Sequence, residues 1–311
     1  MLDPTMLFTY SGTADQRTVR VETMLVTLGN YVDAGHDQRI VNEHLLNTLP
    51  NHVLGRFDVD QLFDYAGHRP QIVFDKDHFA SFSAPEITLH LLHDTDDTPF
   101  LLLSGPEPSL QWERMVAAID HVIEEFDVQR TVMLQTFPAP APHTRPVLVT
   151  RFASDPDLIP INSGLPVTFQ MSSSFGGLLT LRLGERGHVV IGLAAHVPQY
   201  LAGIDYPDAA LALLHATHEV TRLRLPDGDL PLRANATRAQ VDESVAASPE
   251  LQQVIAQIET HHDALIAERG LPINTDSLPD GDEIAAELEA YLRGLDGVDG
   301  NKPDGPPSPD A

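Results

Sequence analysis

The segment MLVTLGNYVDAGHDQRIVNEHLL, residues 24–46, contains in succession the patterns of a strand, a turn and an amphipathic helix. The nearly continuous apolar run at 24–29 is typical of a strand that is covered on both faces. The core-facing positions of the helix recur at helical spacing and are Ile40, Val41, His44, Leu45 and Leu49. Pro50 then ends the helix. A strand followed by a turn and a helix is the repeating unit of α/β proteins.

Other parts of the chain repeat this alternation. Strand-like segments, most of them apolar throughout, occur at residues 52–57, 71–74, 86–92, 99–105, 130–137, 146–153 and 188–197. The segment 86–92 alternates apolar and polar residues, which predicts an edge strand. Amphipathic helices are predicted at 109–126, with Ser109 as the N-cap, and at 207–223. We therefore predict an α/β fold, a three-layer α/β/α sandwich with helices on both faces of one sheet.

The pattern of apolar and polar residues changes near residue 236, and only helical patterns occur after it. Ser248 and Pro249 have the positions of an N-cap and a first helical residue. The final residues, LDGVDGNKPDGPPSPDA, contain too few apolar side chains to order themselves. We predict a core domain over 1–235, a C-terminal helical arm over 236–294 and a disordered acidic tail over 295–311.

Charge and composition exclude several classes of partner. The chain has 45 acidic residues against 19 Lys and Arg, and the resulting net charge of −26 repels nucleic acid and anionic membrane. No apolar run approaches the roughly 18 residues that span a bilayer. Cysteine is absent, which excludes disulfides, thiolate nucleophiles and Cys-type zinc sites. We expect a cytoplasmic protein without a nucleic-acid or membrane partner.

The turn at residues 29–36 has the position of a binding site but not its chemistry. In open α/β sheets, ligands collect where a strand end meets a helix N-terminus. A phosphate cradle requires backbone N–H groups without a nearby anion, whereas Asp33 supplies an anion. The carboxylate suits an N-cap better, so a structural corner is favoured over a phosphate loop.

Further motifs leave two interpretations open. His215 and His218 lie three residues apart on one helix and could bind a metal with a third ligand, although a core or interface role fits better. Residues 169–179 combine serines and glycines as an anion nest or a capped helix start. His261 and His262 point two ways from a helix and are expected to be solvated. We predict no metal and no cofactor. The chain lacks Gly-x-Ser-x-Gly, Gly-x-Gly-x-x-Gly, P-loop and His-Glu-x-x-His motifs, which disfavours the common enzyme classes.

Four stretches resemble the proteasome assembly chaperone superfamily, in an uncharacterised actinobacterial, ATP-grasp-associated branch. They are YVDAGH (31–36), FDVDQLFDYAGHRP (57–70), LLSGPEPSLQWERM (102–115) and AAHVPQYL (194–201). The similarity extends over about residues 20–295. We call the matching positions the signature residues: Asp33, Gly35, Arg69, Pro70, Glu107, Trp112, Glu113, Arg114, His196 and Tyr200. No established catalytic role comes with them.

The resemblance implies a core like that of nucleoside phosphorylases and hydrolases, with helical additions. It also implies a homo-oligomer, with a trimer favoured, and a protein complex as the possible client. We therefore favour a non-enzymatic assembly or interaction protein.

Two alternatives stay open. One is a nucleoside-like binding protein or hydrolase whose strand-end pocket uses Asp33, Arg69, His196 and the serines 172–174. The other is a homo-oligomeric scaffold held together by the helical arm.

Overall fold

The central element of the molecule is an eight-stranded mixed sheet. The computed structural model describes residues 2–11, 19–29, 33–159, 168 and 170–267. The strands are β1 (Phe8–Tyr10), β2 (Thr23–Leu28), β3 (Asn51–Phe57), β4 (Ile72–Asp75), β5 (His78–Phe82), β6 (Ile87–His93), β7 (Pro99–Gly105), β8 (Arg130–Ala139), β9 (Val149–Ala153) and β10 (Val190–Pro198). The sheet order is β1-β3-β6-β7-β2-β8-β10-β9. The four strands β7, β2, β8 and β10 are parallel, and the remaining pairs are antiparallel.

Helices cover both faces of this sheet. They are α1 (Asp37–Thr48), α2 (Val59–Leu62), α3 (Trp112–Phe126), α4 (Phe175–Glu185), α5 (Pro207–Thr221), α6 (Leu230–Ala246) and α7 (Pro249–Ala267). Side chains from α3 and α4 form one core with one face of the sheet. Side chains from α1, α5 and α6 form a second core with the other face. The predicted α/β class with helices on both faces is therefore confirmed, whereas the likeness to nucleoside phosphorylases stays a prediction.

The strands that were predicted from continuous apolar runs are buried on both faces of the sheet. All six residues of β2 and all nine of β10 are buried, because helices cover both of their faces. Strand β6 is different, since it lies between β3 and β7 and is not the edge strand that its alternation predicted. Of the two polar residues in the alternation, Thr88 is buried and His90 is half-buried, so the polar face of β6 is covered as well.

Two further local predictions need correction. Ser109 is not the N-cap of α3, because its N–H and that of Leu110 donate to the Leu62 carbonyl, and the helix starts at Trp112. The segment 71–74 is a strand, but it pairs only with β5 in a separate hairpin outside the main sheet. Short β1 and the strand β5 were not predicted.

The C-terminal helices pack onto the core. Helix α6 crosses the predicted boundary at 235/236, and its residues Leu230 and Val241 are buried in the core that α5 lines. Residues Met1–Leu271 form one compact unit. The N-cap at Ser248 is confirmed, because its Oγ accepts the Leu251 N–H. The division into core and arm stays a prediction, and residues 268–294 of the arm and the tail 295–311 lie outside the described residues.

None of the helices described here combines the length and the apolar character that a bilayer crossing requires.

Gly192 in β10 lies under an aromatic ring. It is the register partner of Phe152 in β9, and a Cβ at Gly192 would lie 2.0 Å from Phe152 Cζ. The ring therefore occupies the space that a side chain would need.

We predict that Gly192→Ala lowers the free energy of unfolding by about 1–3 kcal/mol, because the Phe152 ring must leave its position. Urea denaturation of both proteins measures the change. Gly203→Ala is the control, since nothing lies within 4 Å of the added Cβ. Equal stability of the two variants would contradict the prediction.

Candidate functional site at the carboxyl ends of the strands

The chain reverses its winding between two neighbouring parallel strands. After β2 the chain forms α1 on one face, and after β7 it forms α3 on the other face. Such a switch point opens a crevice at the carboxyl ends of the strands, where α/β proteins bind ligands. Gly29 lies in this crevice, where a Cβ would approach the Glu107 backbone nitrogen to 3.2 Å. The crevice is therefore the position in this fold where a ligand-binding site is expected.

In this crevice the Glu107 carboxylate is hydrogen-bonded to the N-terminus of α4. A Glu107 carboxylate oxygen accepts the Phe175 N–H at 2.5 Å, and Ser174 Oγ accepts the Gly177 N–H at 3.1 Å. A carboxylate at a helix N-terminus is stabilised by the helix dipole. The capped helix start predicted for 169–179 is confirmed, and the chain's own groups take the N–H donors that an anion would use.

Trp112, Glu113 and Arg114 fasten α3 to its neighbours. The indole N–H of Trp112 donates to the Pro108 carbonyl, and its ring meets Phe175 edge-to-face at 6.0 Å. Glu113 forms a two-oxygen ion pair with Arg182 of α4. This pairing, through hydrogen bonds from Arg182, holds the pKa of Glu113 below its usual value.

Arg114 is a buried cation without a carboxylate partner among the described residues. Its Nε and Nη2 donate to the Asp3 carbonyl at 2.9 and 2.7 Å, and Nη1 donates to the amide oxygens of Gln61 and Gln111. The guanidinium thus joins the N-terminal segment, α2 and the start of α3. Its contacts are structural.

Asp33 and Gly35 form the corner between α1 and α5. Asp33 Oδ1 accepts the Gln38 N–H in the first turn of α1 at 3.2 Å, as predicted, but the N-cap position of α1 is taken by His36 and not by Asp33, because a short turn at Ala34–His36 lies between them. Gly35 has φ +73°, donates its N–H to the Ala202 carbonyl and accepts the Tyr206 N–H. These two backbone bonds join the loops before α1 and α5.

Asp37 is the most unusual group at this corner. Its side chain is 0% exposed, and neither carboxyl oxygen has a hydrogen-bond partner in the part of the chain that the structure describes. Burial raises the pKa of Asp37 well above its ordinary value, and the charges of Asp33, Asp205 and Asp208 add to the shift. The backbone N–H of Ala210 offsets part of the rise, although it does not meet the geometry of a hydrogen bond to either oxygen. Burial also raises the pKa of Asp33 and Asp208.

His196 and Tyr200 belong to a different region. His196 is buried, its Nε2 lies 2.8 Å from Thr150 Oγ1, and burial lowers its pKa to about 4. The Tyr200 hydroxyl oxygen accepts the backbone N–H of His143 and is also hydrogen-bonded to Nδ1 of the His143 ring. The other ring nitrogen of His143, Nε2, lies 3.0 Å from Asp242 Oδ1 in α6. Burial raises the pKa of Tyr200 to about 12. The His143 side chain, placed between the Tyr200 hydroxyl and Asp242, therefore links α6 to the segment that follows β10.

Arg69 and Pro70 lie apart from all of these groups. They precede the hairpin of β4 and β5, where Arg69 is exposed and Pro70 is half-buried. No contact joins Arg69 to Asp33 or His196 among the described residues.

The signature residues do not converge on one point. Eight of them form three separate sets, one around α3 and α4, one at the α1–α5 corner and one at the carboxyl end of β10, and Arg69 and Pro70 lie apart from all three. Asp33 and His196 point to opposite faces of the sheet, because Thr136 bonds the Ala34 carbonyl while the next residue, Phe137, stacks near His196. The enzyme alternative needed these two side chains to meet.

Several notable residues were missed by sequence reasoning. Asp37, four residues after Asp33, gave no signal because a first-turn Asp is ordinary in a helix. His143 and Asp242 are distant in sequence. His262 was expected in solvent but is 5% exposed, because α7 packs this side chain inward.

The candidate metal pair has other partners. His215 bonds Asp227, and His218 bonds the Leu223 carbonyl. Within the described ranges, no group of three His, Asp or Glu side chains is arranged for a metal ion.

We predict that Gly35→Ala lowers the free energy of unfolding by about 2–4 kcal/mol. Alanine is strained at φ +73°, and its Cβ would lie 2.6 Å from Asp37 Oδ2 and 3.0 Å from Tyr206 Cβ. Gly187→Ala is the matched control, since φ is +88° there with nothing within 4 Å. Chemical denaturation should show only about 1 kcal/mol for the control. Equal losses would mean that the corner is not crowded.

We predict that Asp37→Asn stabilises the protein by about 1–3 kcal/mol near neutral pH. A carboxyl group with a raised folded-state pKa contributes stability while protonated and loses it as the pH rises through that pKa. The gain of the variant over the wild type should therefore grow as the pH rises above the ordinary aspartate range. Thermal unfolding across pH 4–8 measures it.

The control for this measurement is Asp205→Asn. Partial burial opposes the shift, but hydrogen bonds from Arg39 and His36 hold the pKa of Asp205 below its usual value. Its stabilising contribution is therefore present above the ordinary range and lost at acid pH, the opposite sign to Asp37. A pH-independent difference for Asp37→Asn would refute the assignment.

Comparisons with known proteins agree on one family. The model of the PAC2 family matches residues 28–245. A Mycobacterium tuberculosis protein of unknown function is 36% identical, with TM-score 0.79 over 85% of this chain and 90% of that chain. A Corynebacterium glutamicum protein of unknown function is 31% identical, with TM-score 0.78 over 85% and 99%.

A more distant neighbour adds the fold only. It is a Mycobacterium tuberculosis proteasome-assembly chaperone homologue, 23% identical, with TM-score 0.69 over 75% of this chain and 99% of that chain. No curated protein matches the sequence. The family match and the two nearer structures together lead to one conclusion: this chain belongs to the PAC2 family.

Proposed function

We propose that the protein is a non-enzymatic interaction protein that self-associates and acts in the manner of an assembly chaperone. The observation that carries this proposal is the exposed apolar hairpin of β4 and β5. We place the protein in the cytoplasm as a trimer, the number favoured by the resemblance, and in the actinobacterial, ATP-grasp-associated branch.

The hairpin presents apolar side chains to solvent on a molecule that is otherwise acidic at its surface. Every residue from 71 to 84 is exposed. Five large apolar side chains are more than half exposed: Ile72, Val73, Phe74, Phe79 and Phe82. The rings of Phe74 and Phe79 meet edge-to-face at 5.2 Å, and little else in the described chain touches them. Contiguous exposed apolar side chains of this kind mark protein interaction sites.

The stability of the hairpin supports a covering partner. A two-stranded hairpin is marginal in water when nothing packs against it. Exposed strand edges also attract other strands unless a partner or charges protect them. A second copy of this chain is the simplest partner, because every copy carries the hairpin. A contact between the hairpin and a different patch of the next copy closes into a ring when the rotation permits.

The contacts of the signature residues support an interaction role over catalysis. Glu107 and Arg114 are used in structural hydrogen bonds, and His196 is buried and neutral. The pocket-enzyme alternative rests on the position of the switch point, which any fold of this class provides.

We predict that the double variant Phe74→Ser, Phe79→Ser reduces the oligomer to smaller species, because it removes the apolar contact. Native mass spectrometry reads out the copy number. Leu232→Ser is the matched control, since Leu232 is 73% exposed on α6. Circular dichroism checks that both variants keep the fold. An unchanged oligomer in the double variant would rule out the hairpin as the contact.

The client needs a separate experiment. The purified protein is mixed with purified unassembled subunits of the host's ring complexes, the proteasome first, and assembly is followed by native electrophoresis. A changed assembly rate or a complex of defined stoichiometry is expected. Neither effect with any ring would remove the chaperone role while leaving self-association intact.

A further inference from the structure

Strand β9 is an open edge of the main sheet. Its register with β10 pairs Val149 with Ala195 and Arg151 with Leu193. The ladder bonds fall on the other residues, since the Ser154 N–H donates to the Val190 carbonyl and the His196 N–H to Leu148. In an antiparallel pair the alternate residues then point their N–H and C=O groups away from the partner. Val149, Arg151 and Ala153 therefore present unpaired backbone groups outward, as far as the described residues show.

A groove of about 810 Å³ runs beside this edge. One wall is β9 with the preceding loop, and the other wall is α5. Ala212 and Ala216 face the groove one turn apart, with Leu211 beside them. Small side chains at these positions leave room for an extended chain between α5 and the edge. The groove thus has the place and the apolar wall of one additional strand.

The charge of the groove differs from that of the chain. Its lining includes three arginines and two histidines, at Arg145, Arg151, Arg238, His143 and His215. Its acids are Asp208, Glu219 and Asp242. The whole chain has 45 acids against 19 Lys and Arg, so this groove is locally far less negative than the average surface.

Arg151 links the open edge of β9 to the charged side chains of the groove. Its backbone points outward, and its side chain reaches over the groove to pair with Glu219 of α5. Arg238 lies 3.5 Å from Asp208 at the α6 end. In each pair one partner is exposed to solvent, Glu219 in the first and Arg238 in the second, and the exposed partner can be replaced at small cost. An incoming carboxylate beside Arg151 could replace Glu219, which is 61% exposed and returns to water.

We propose that the groove beside β9 is a docking site for an extended acidic peptide segment of a partner protein, which adds a ninth strand to the sheet. Backbone hydrogen bonds to Val149 and Arg151 supply the pairing, and acidic side chains at alternate positions face the arginines. The small residues of α5 select against bulky side chains on that face. This site is separate from the hairpin and goes beyond the proposed function.

The test uses a labelled synthetic octapeptide of alternating valine and glutamate, capped at both ends, with binding to the full chain followed by fluorescence anisotropy. The Glu peptide is expected to bind. A matched peptide with lysine in place of glutamate should bind at least about tenfold more weakly. N-methylation of the alternate amides that face β9 should weaken binding about tenfold, and methylation of the other set should have a smaller effect.

Protein variants confirm the location. Ala212→Trp fills the groove and should abolish binding, whereas Leu232→Trp on the outer surface of α6 should not. Thermal unfolding checks that both variants fold, and Arg151→Ala provides a smaller change, with an expected loss of about tenfold.

The proposal fails if no peptide binds, if the Glu and Lys peptides bind equally, or if the peptide methylated on the amides that face β9 binds like the parent. It also fails if the peptide reduces the mass of the oligomer to single chains, because a second copy would then occupy the groove.

Discussion

Two backbone hydrogen bonds at Gly35 set the relation between the loops that precede α1 and α5. The Gly35 N–H reaches the Ala202 carbonyl, and the Gly35 carbonyl receives the Tyr206 N–H. Since α1 and α5 cover the same face of the sheet, this junction positions most of that layer. Only a residue that tolerates φ +73° without a side chain can occupy it, because Asp37 and Tyr206 fill the neighbouring space. The Asp-Ala-Gly turn is therefore a structural joint at the place where related folds bind ligands.

The same use of signature residues extends across the molecule. Glu107 caps α4, Arg114 holds the N-terminal segment, and Tyr200 with His143 holds α6. Each of these polar groups makes hydrogen bonds inside the chain. Asp37 is the exception, because its buried oxygens have no partner among the described residues. The surfaces proposed for interaction are the apolar hairpin of β4 and β5 and the open sheet edge at β9.

Much of the fold could be predicted because burial on both faces leaves a direct trace in sequence. The run at 24–29 and the helix at 109–126 were located for this reason. The same argument failed for β4, whose residues 72–75 resemble a core strand although they lie in solvent. It also failed for β6, whose alternating polar residues Thr88 and His90 are buried and half-buried in an interior strand. Apolar periodicity indicates that a surface is buried or available for an interaction, but it does not identify the element or partner that covers it.

For the candidate site, the sequence by itself predicted that the Asp33 carboxylate bonds the first turn of α1 and that Gly35 belongs to the turn before that helix. It also determined the net charge of −26. Only the tertiary structure decided that Asp37 is buried against Asp33 and Asp208, and that His196 lies on the opposite face from Asp33. It also decided that Arg151 of an edge strand meets Glu219 of α5. The physical reason is that local hydrogen bonds and helix periods act over a few residues and leave local patterns. Burial, charge proximity and open edges arise from elements that are far apart in the chain and meet only when the sheet is assembled.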